Sequence, residues 1–177
     1  MLLVGTARAE LQLSPRPFTY EIDGAKFSQV AFTDGDKEVT YVPPRGWECS
    51  GSGSQLRLRP KDKSEAEATV TRTALPQPMV FDEETIKSLT QQVMAALPSG
   101  SSNVQLVGQD LNPVLIDKKE TLLVTMSYTL YGDTYGRSVM FMNRGKEQIR
   151  FQLVSRLADF KDLQSAFQQS HFSWKNL

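Results

Sequence analysis

The chain has one cysteine, one histidine and no long apolar run, and its charges cancel. The lone Cys49 excludes an internal disulfide and any cysteine-based zinc framework. Its surroundings, WECSGSGS, offer no base to activate a thiol, so it reads as a small buried apolar group. With a single histidine, a Ser-His-Asp or Cys-His site would have to use His171, which falls on a core-packing helix and reads as a packing residue. No stretch approaches the roughly 18 apolar residues of a membrane-spanning helix. Twenty Lys and Arg balance twenty Asp and Glu, scattered along the chain, which leaves no electrostatic footprint for nucleic acid.

Catalytic motifs are missing as well. GSGS is followed by Gln55 and Leu56, so no phosphate-cradling loop forms, and there is no G-x-S-x-G, H-E-x-x-H or EF-hand loop. Acidic pairs have simpler roles. Glu83 and Glu84 suit a first helical turn, Glu65 and Glu67 an exposed strand edge, and Asp117 and Glu120 a lysine-containing turn. None has the apolar setting that would raise a carboxyl toward neutrality. The expectation is a protein without catalytic residues, cofactor or metal.

What is present is a strand-rich pattern. FTYEI and KFSQVAF flank Asp23-Gly24-Ala25, a hairpin signal, and EVTYV stops at Pro43-Pro44. PPRGWECSGSGS reads as an exposed loop anchored by Trp47, QLRLRP and EATVTRTAL as half-solvated strands, and NVQLVGQDL and PVLID as two further strands. Asp82 is a good N-cap for a helix whose Ile86, Leu89, Val93, Met94 and Leu97 share one face. ETLLVTMSYTLYG, YGRSVMFMNR and EQIRFQLVSR then form an antiparallel meander. ETLLVTMSYTLYG reads as core on one side and YGRSVMFMNR as covered on both. A last helix opens at Asp159, with Phe160, Leu163, Phe167 and Trp174 as its stripe. The fold class is α+β, an antiparallel sheet with helices packed on it. The 177 residues fit one domain.

At the N-terminus, MLLVGTARAE places a short apolar stretch before Ala7-Arg8-Ala9, small residues of the kind signal peptidase accepts. Residues 1–9 read as the remnant of a signal peptide and 10–177 as the domain, exported to the periplasm or secreted. Arg45 and Trp47 in the PPRGW loop, with Tyr131, Tyr135, Arg137 and Arg144 near the meander hairpin, are of the types enriched in binding hot spots. They are the expected surface for a protein partner. The alternative is a carrier of a small apolar ligand in a cleft lined by Met126, Met140 and Met142.

Two local signatures add to this pattern: P-x-G-W, here Pro44-Arg45-Gly46-Trp47, before the strands, and F-x-x-L-x-x-x-F, here Phe160, Leu163 and Phe167, in the closing helix. With the order of elements from about residue 17 onward, the chain resembles the PsbP/Mog1-like proteins. That resemblance implies an α-β-α sandwich and a non-enzymatic exported or partner-binding domain, with no catalytic residues to carry over. It departs from the photosystem branch, whose manganese or calcium role a single His171 leaves unsupported. An uncharacterised bacterial exported relative is the closer match.

Overall fold

Tight turns set the strand order in the computed structural model, which describes residues 10–177. Asp23 and Gly24 take φ values of 50° and 79°, the hairpin geometry that an Asp-Gly pair adopts readily. They join β1 (Leu11–Ile22) to β2 (Ala25–Asp34), and a turn with Gly35 at φ 70° leads into β3 (Lys37–Tyr41). After Pro43-Pro44 come β4 (Trp47–Ser52), β5 (Gln55–Pro60) and β6 (Glu67–Ala74). Helix α1 (Glu83–Ala95) starts where Asp82 accepts a hydrogen bond from the Thr85 N–H at 2.8 Å. The remaining strands are β7 (Ser102–Leu111), β8 (Thr121–Leu130), β9 (Asp133–Arg144) and β10 (Glu147–Arg156), followed by α2 (Leu157–Ser170) and the two-residue β11 (Lys175–Asn176). The proposed leader, with Ala7-Arg8-Ala9, lies outside the described residues.

Two antiparallel sheets result. One is four-stranded in the order β1-β2-β3-β11, the other seven-stranded in the order β4-β5-β6-β10-β9-β8-β7. The larger sheet is the shared wall of two cores. On one face Leu89 and Val93 of α1 meet Leu122, Val124, Met126, Val139 and Phe141. On the other lie α2 and the smaller sheet, whose core gathers Phe32, Tyr41, Met140, Met142, Phe151, Phe167 and Trp174. The expected helix-sheet-helix sandwich is therefore present, with a second sheet beside α2.

Several local expectations change. WECSGS is a strand, not a loop: Cys49 pairs with Leu58 and Gly51 with Leu56. Gly51 is needed there, since a Cβ would come 2.5 Å from the Leu13 carbonyl oxygen of β1. Both faces of β8 are core, because Leu123 and Thr125 are buried along with Leu122, Val124 and Met126. PVLID makes only one bridge, Ile116 with Lys119, and Met94 points outward, 41% exposed. Helix α2 begins at Leu157, two residues before Asp159, and Arg156 supplies no capping side chain. Asp159 instead accepts from Lys63 at 2.9 Å. Trp174 lies beyond α2, after one 3₁₀ turn, in extended backbone.

Phe160 of α2 sits directly over Gly136 of β9, where any Cβ would overlap the ring. Gly136→Ala should cost about 1–3 kcal/mol by overpacking, read as a lower urea midpoint with unchanged slope. Pairing it with Phe160→Leu should recover part of that loss; no recovery would mean the ring contact is not what excludes a side chain.

The larger sheet has unlike edges. Beside β4 the Leu13 N–H of β1 donates to the Gly53 carbonyl of the β4–β5 turn at 2.6 Å, so β1 covers part of that side. At β7 no backbone hydrogen bond among the described residues leads outward, and nearly every side chain is exposed.

Candidate binding groove

The six residues expected to form one partner surface fall in three places. Tyr131, at the β8–β9 turn, is 93% exposed with φ 51°. Tyr135 stacks on Tyr128 at 5.7 Å. Arg137 is 5% exposed and donates inward, to the Ala96 carbonyl at the C-terminus of α1 (2.7 Å) and to Gln152 Oε1 (2.8 Å). Burial, and then the nearby Arg150, lower its pKa, while the helix-end carbonyl offers it a favourable negative dipole end. It ties α1 to the sheet and is withheld from solvent. Arg144 lies at the far end of β9, roughly 35 Å from Tyr131 along the strand, and ion-pairs with Asp34 at 2.5 Å and Glu147 at 3.5 Å. Arg45 and Trp47 form the third place, beside α2. The Trp47 indole stacks on Phe167 at 6.0 Å and 13° and packs on the core, leaving Arg45 exposed.

Arg45 lines a groove that sequence reading did not single out. The groove has two adjoining lobes of about 540 and 420 Å³ that share Val42 and Ser173. In the first, Pro43, Pro44 and Arg45 face Ala166 and Gln169 of α2. In the second, Phe18 and Tyr20 of β1, with ring centroids 6.5 Å apart, line the outer face of the smaller sheet opposite Thr40, Lys175 and Leu177. The prolines cannot continue β3 as a ladder strand, so the chain leaves the sheet there and forms a wall.

Ser173 fixes the waist of this groove. Its Oγ accepts from the Val42 N–H at 2.8 Å and donates to the Ser170 carbonyl at 2.6 Å, fastening the end of β3 to the turn after α2. Just beneath, Tyr41 and Ser170 share a hydrogen bond at 2.7 Å; burial pushes the Tyr41 phenol well above its usual range, so it stays neutral. Among the described residues the charged side chains lining the two lobes are Arg45 and Lys175, neither in an ion pair, and no carboxylate side chain lines either lobe. The groove is thus apolar, aromatic and cationic.

The other chemistry-bearing groups lie outside the groove, His171 enclosed and Cys49 half-buried instead of buried as expected. His171 is 1% exposed between the rings of Phe151 (4.5 Å) and Phe167 (4.6 Å), and burial lowers its pKa to about 3. Burial raises the Cys49 thiol to about 11, keeping it protonated at neutral pH. Met126 lies in the α1 core, whereas Met140 and Met142 lie in the other, so the three do not line a common cleft. Among the described residues no group of three or more His, Cys, Asp and Glu is placed to hold a metal ion, and no helix is long and apolar enough to cross a membrane.

Comparison with known proteins bears on the fold. No family model matches the chain, and no curated protein matches it by sequence. Among solved structures it is similar to cyanobacterial PsbP (CyanoP) from Synechocystis, with a TM-score of 0.55 and 13% identity over 98% of this chain and 95% of that one. A protein of unknown function from Pseudomonas aeruginosa aligns with a TM-score of 0.46 and 15% identity over 88% of this chain and 94% of the other. The chain has a PsbP-like fold.

Proposed function

We propose that this chain is a non-enzymatic exported module of the cell envelope, and that its groove receives a segment of a protein partner carrying apolar and acidic side chains. The observation that carries this reading is the lining itself: two adjoining lobes built from Phe18, Tyr20, Val42 and Pro44, with cations at Arg45 and Lys175 that have no ion-pair partner and no competing acidic side chain among the described residues. Aromatic and proline surfaces bring apolar area at low entropic cost, and unpaired cations favour an acidic partner through complementarity of potential. The groove is open and continues through two adjoining lobes, which suits an extended peptide better than an enclosed small molecule. Export rests on Ala7-Arg8-Ala9.

Selection of peptides from a random display library tests the reading. Enriched sequences should combine aromatic or aliphatic residues with Asp or Glu. Arg45→Glu with Lys175→Glu should weaken them by about tenfold or more, roughly 1.4 kcal/mol, at low salt and less at high salt, with thermal stability unchanged. Chemical-shift changes confined to other surfaces, or equal binding by the double variant, would remove the groove from consideration. A small molecule retained in native mass spectra and insensitive to both substitutions would favour the carrier alternative.

A further inference from the structure

The β7 edge carries a second interaction surface, independent of the groove. β7 is ten residues long and forms the outer edge of the seven-stranded sheet, paired on one side to β8. Val104, Leu106, Val107 and Leu111 are 38%, 46%, 65% and 50% exposed, an unusual concentration of apolar surface on one edge strand. The devices that usually blunt an edge are scarce here. The strand has no lysine, arginine or proline, and Asp110 is its only charge. Two register shifts, between Ser102 and Gln105 and between Leu106 and Gly108, twist its first part, but Gly108–Leu111 runs in regular register against Thr125–Leu122. At the opposite edge β1 passes close to β4, with the Leu13 N–H donating to Gly53 in the β4–β5 turn.

We infer that β7 pairs antiparallel with β7 of a second copy of this chain, extending the sheet across a two-fold axis. A strand edge is satisfied by another strand, and β7 is self-complementary: with one charge in ten residues, every two-fold centre except Asp110 itself avoids placing like charges opposite each other. Pairing would supply partners for its outward N–H and C=O groups and bury Leu106, Val107 and Leu111 against their copies. A two-fold axis normal to the sheet keeps the same face uppermost in both copies, so the two α1 helices lie on one side of the joined sheet. The groove, on the smaller sheet and α2, stays clear of the contact.

Sedimentation equilibrium on the full chain tests this. The expected result is a mass moving toward twice 19.8 kDa as concentration rises through about 100 μM, a range in which modest interfaces associate. Val107→Lys with Leu111→Lys, both at exposed sites, should raise the dissociation constant at least about tenfold with an unchanged near-ultraviolet spectrum. Should that variant fold poorly, hydrogen exchange of the unmodified chain gives a second readout: amides of Gly108–Leu111 should gain protection with concentration while Phe18–Ile22 do not. A monomer across the range, a dimer indifferent to both lysines, protection independent of concentration, or a foreign strand taken up by a chain that never self-associates would each overturn the inference.

Discussion

Trp174→Ala should lower stability by roughly 3–5 kcal/mol, the range for truncating a buried large aromatic, and so remove a large part of what a domain of this size has. The indole is 1% exposed and is in ring contact with both sheets. It stacks on Phe32 (5.7 Å, 29°) and leans on Tyr41 (5.7 Å, 58°) of the smaller sheet, and stands edge-on to Phe151 (5.3 Å, 84°) of the larger one. Removing it leaves a cavity where the two layers meet, which rigid strands cannot collapse to fill. Urea unfolding followed by far-ultraviolet circular dichroism is the measurement. Trp174→Phe should keep over half of the lost stability, since the Nε1 hydrogen makes no hydrogen bond among the described residues. A loss below about 1 kcal/mol for the alanine variant would show that the sheets are held together elsewhere.

Acid should destabilise the protein through His171, and substituting that residue should remove the effect. Burial lowers its folded pKa from 6.5 to about 3, and neither ring nitrogen has a hydrogen-bond partner among the described residues. The native state therefore holds the neutral imidazole over a range where the unfolded chain is protonated. Stability from this group is fully present above pH 6.5, falls as pH drops below that value, and levels off only near pH 3. At about 1.36 kcal/mol per pH unit the loss reaches roughly 3 kcal/mol by pH 4. Carboxylates also titrate near the lower end, so the informative quantity is the difference between the wild type and His171→Leu. The variant should be less sensitive between pH 6.5 and 4.5, and at least as stable at pH 5, because a buried ring without partners is replaced by an apolar group. Parallel stability curves for the two proteins across that interval would mean that acid opens the site before the imidazole is charged.

The parts of the fold legible in sequence were those where one local signal sufficed. Asp82 followed by Glu83 and Glu84 marks α1, and glycines 132 and 145 punctuate a meander whose apolar alternation is unmistakable. β4 was missed because Gly51, Ser50 and Ser52 carry no hydrophobic period; what makes them a strand is pairing with β5 and the close pass of Leu13. Asp159 looked like a cap, yet it is bound to Lys63, 96 residues away. Arg137 has the composition of a hot spot but is spent on the end of α1. The groove was legible only at Arg45, since its two lobes join Phe18, Val42 and Ser173, residues brought together by strand pairing and by the turn after α2. Pro43-Pro44 marks the end of β3 in the sequence, but not that the chain there forms a groove wall.

Because β11 hydrogen-bonds to β3 and Trp174 fills the space between the layers, the larger core is sealed by a segment remote in sequence from β1, whose Leu11 and Leu13 lie in the same core. A nascent polypeptide emerging from the ribosome must expose Phe32, Tyr41 and Phe151 until residue 174 has cleared the exit tunnel. The native packing of this core therefore waits for a segment more than 130 residues downstream of Phe32, and the pairing that closes it is non-local and slow to find.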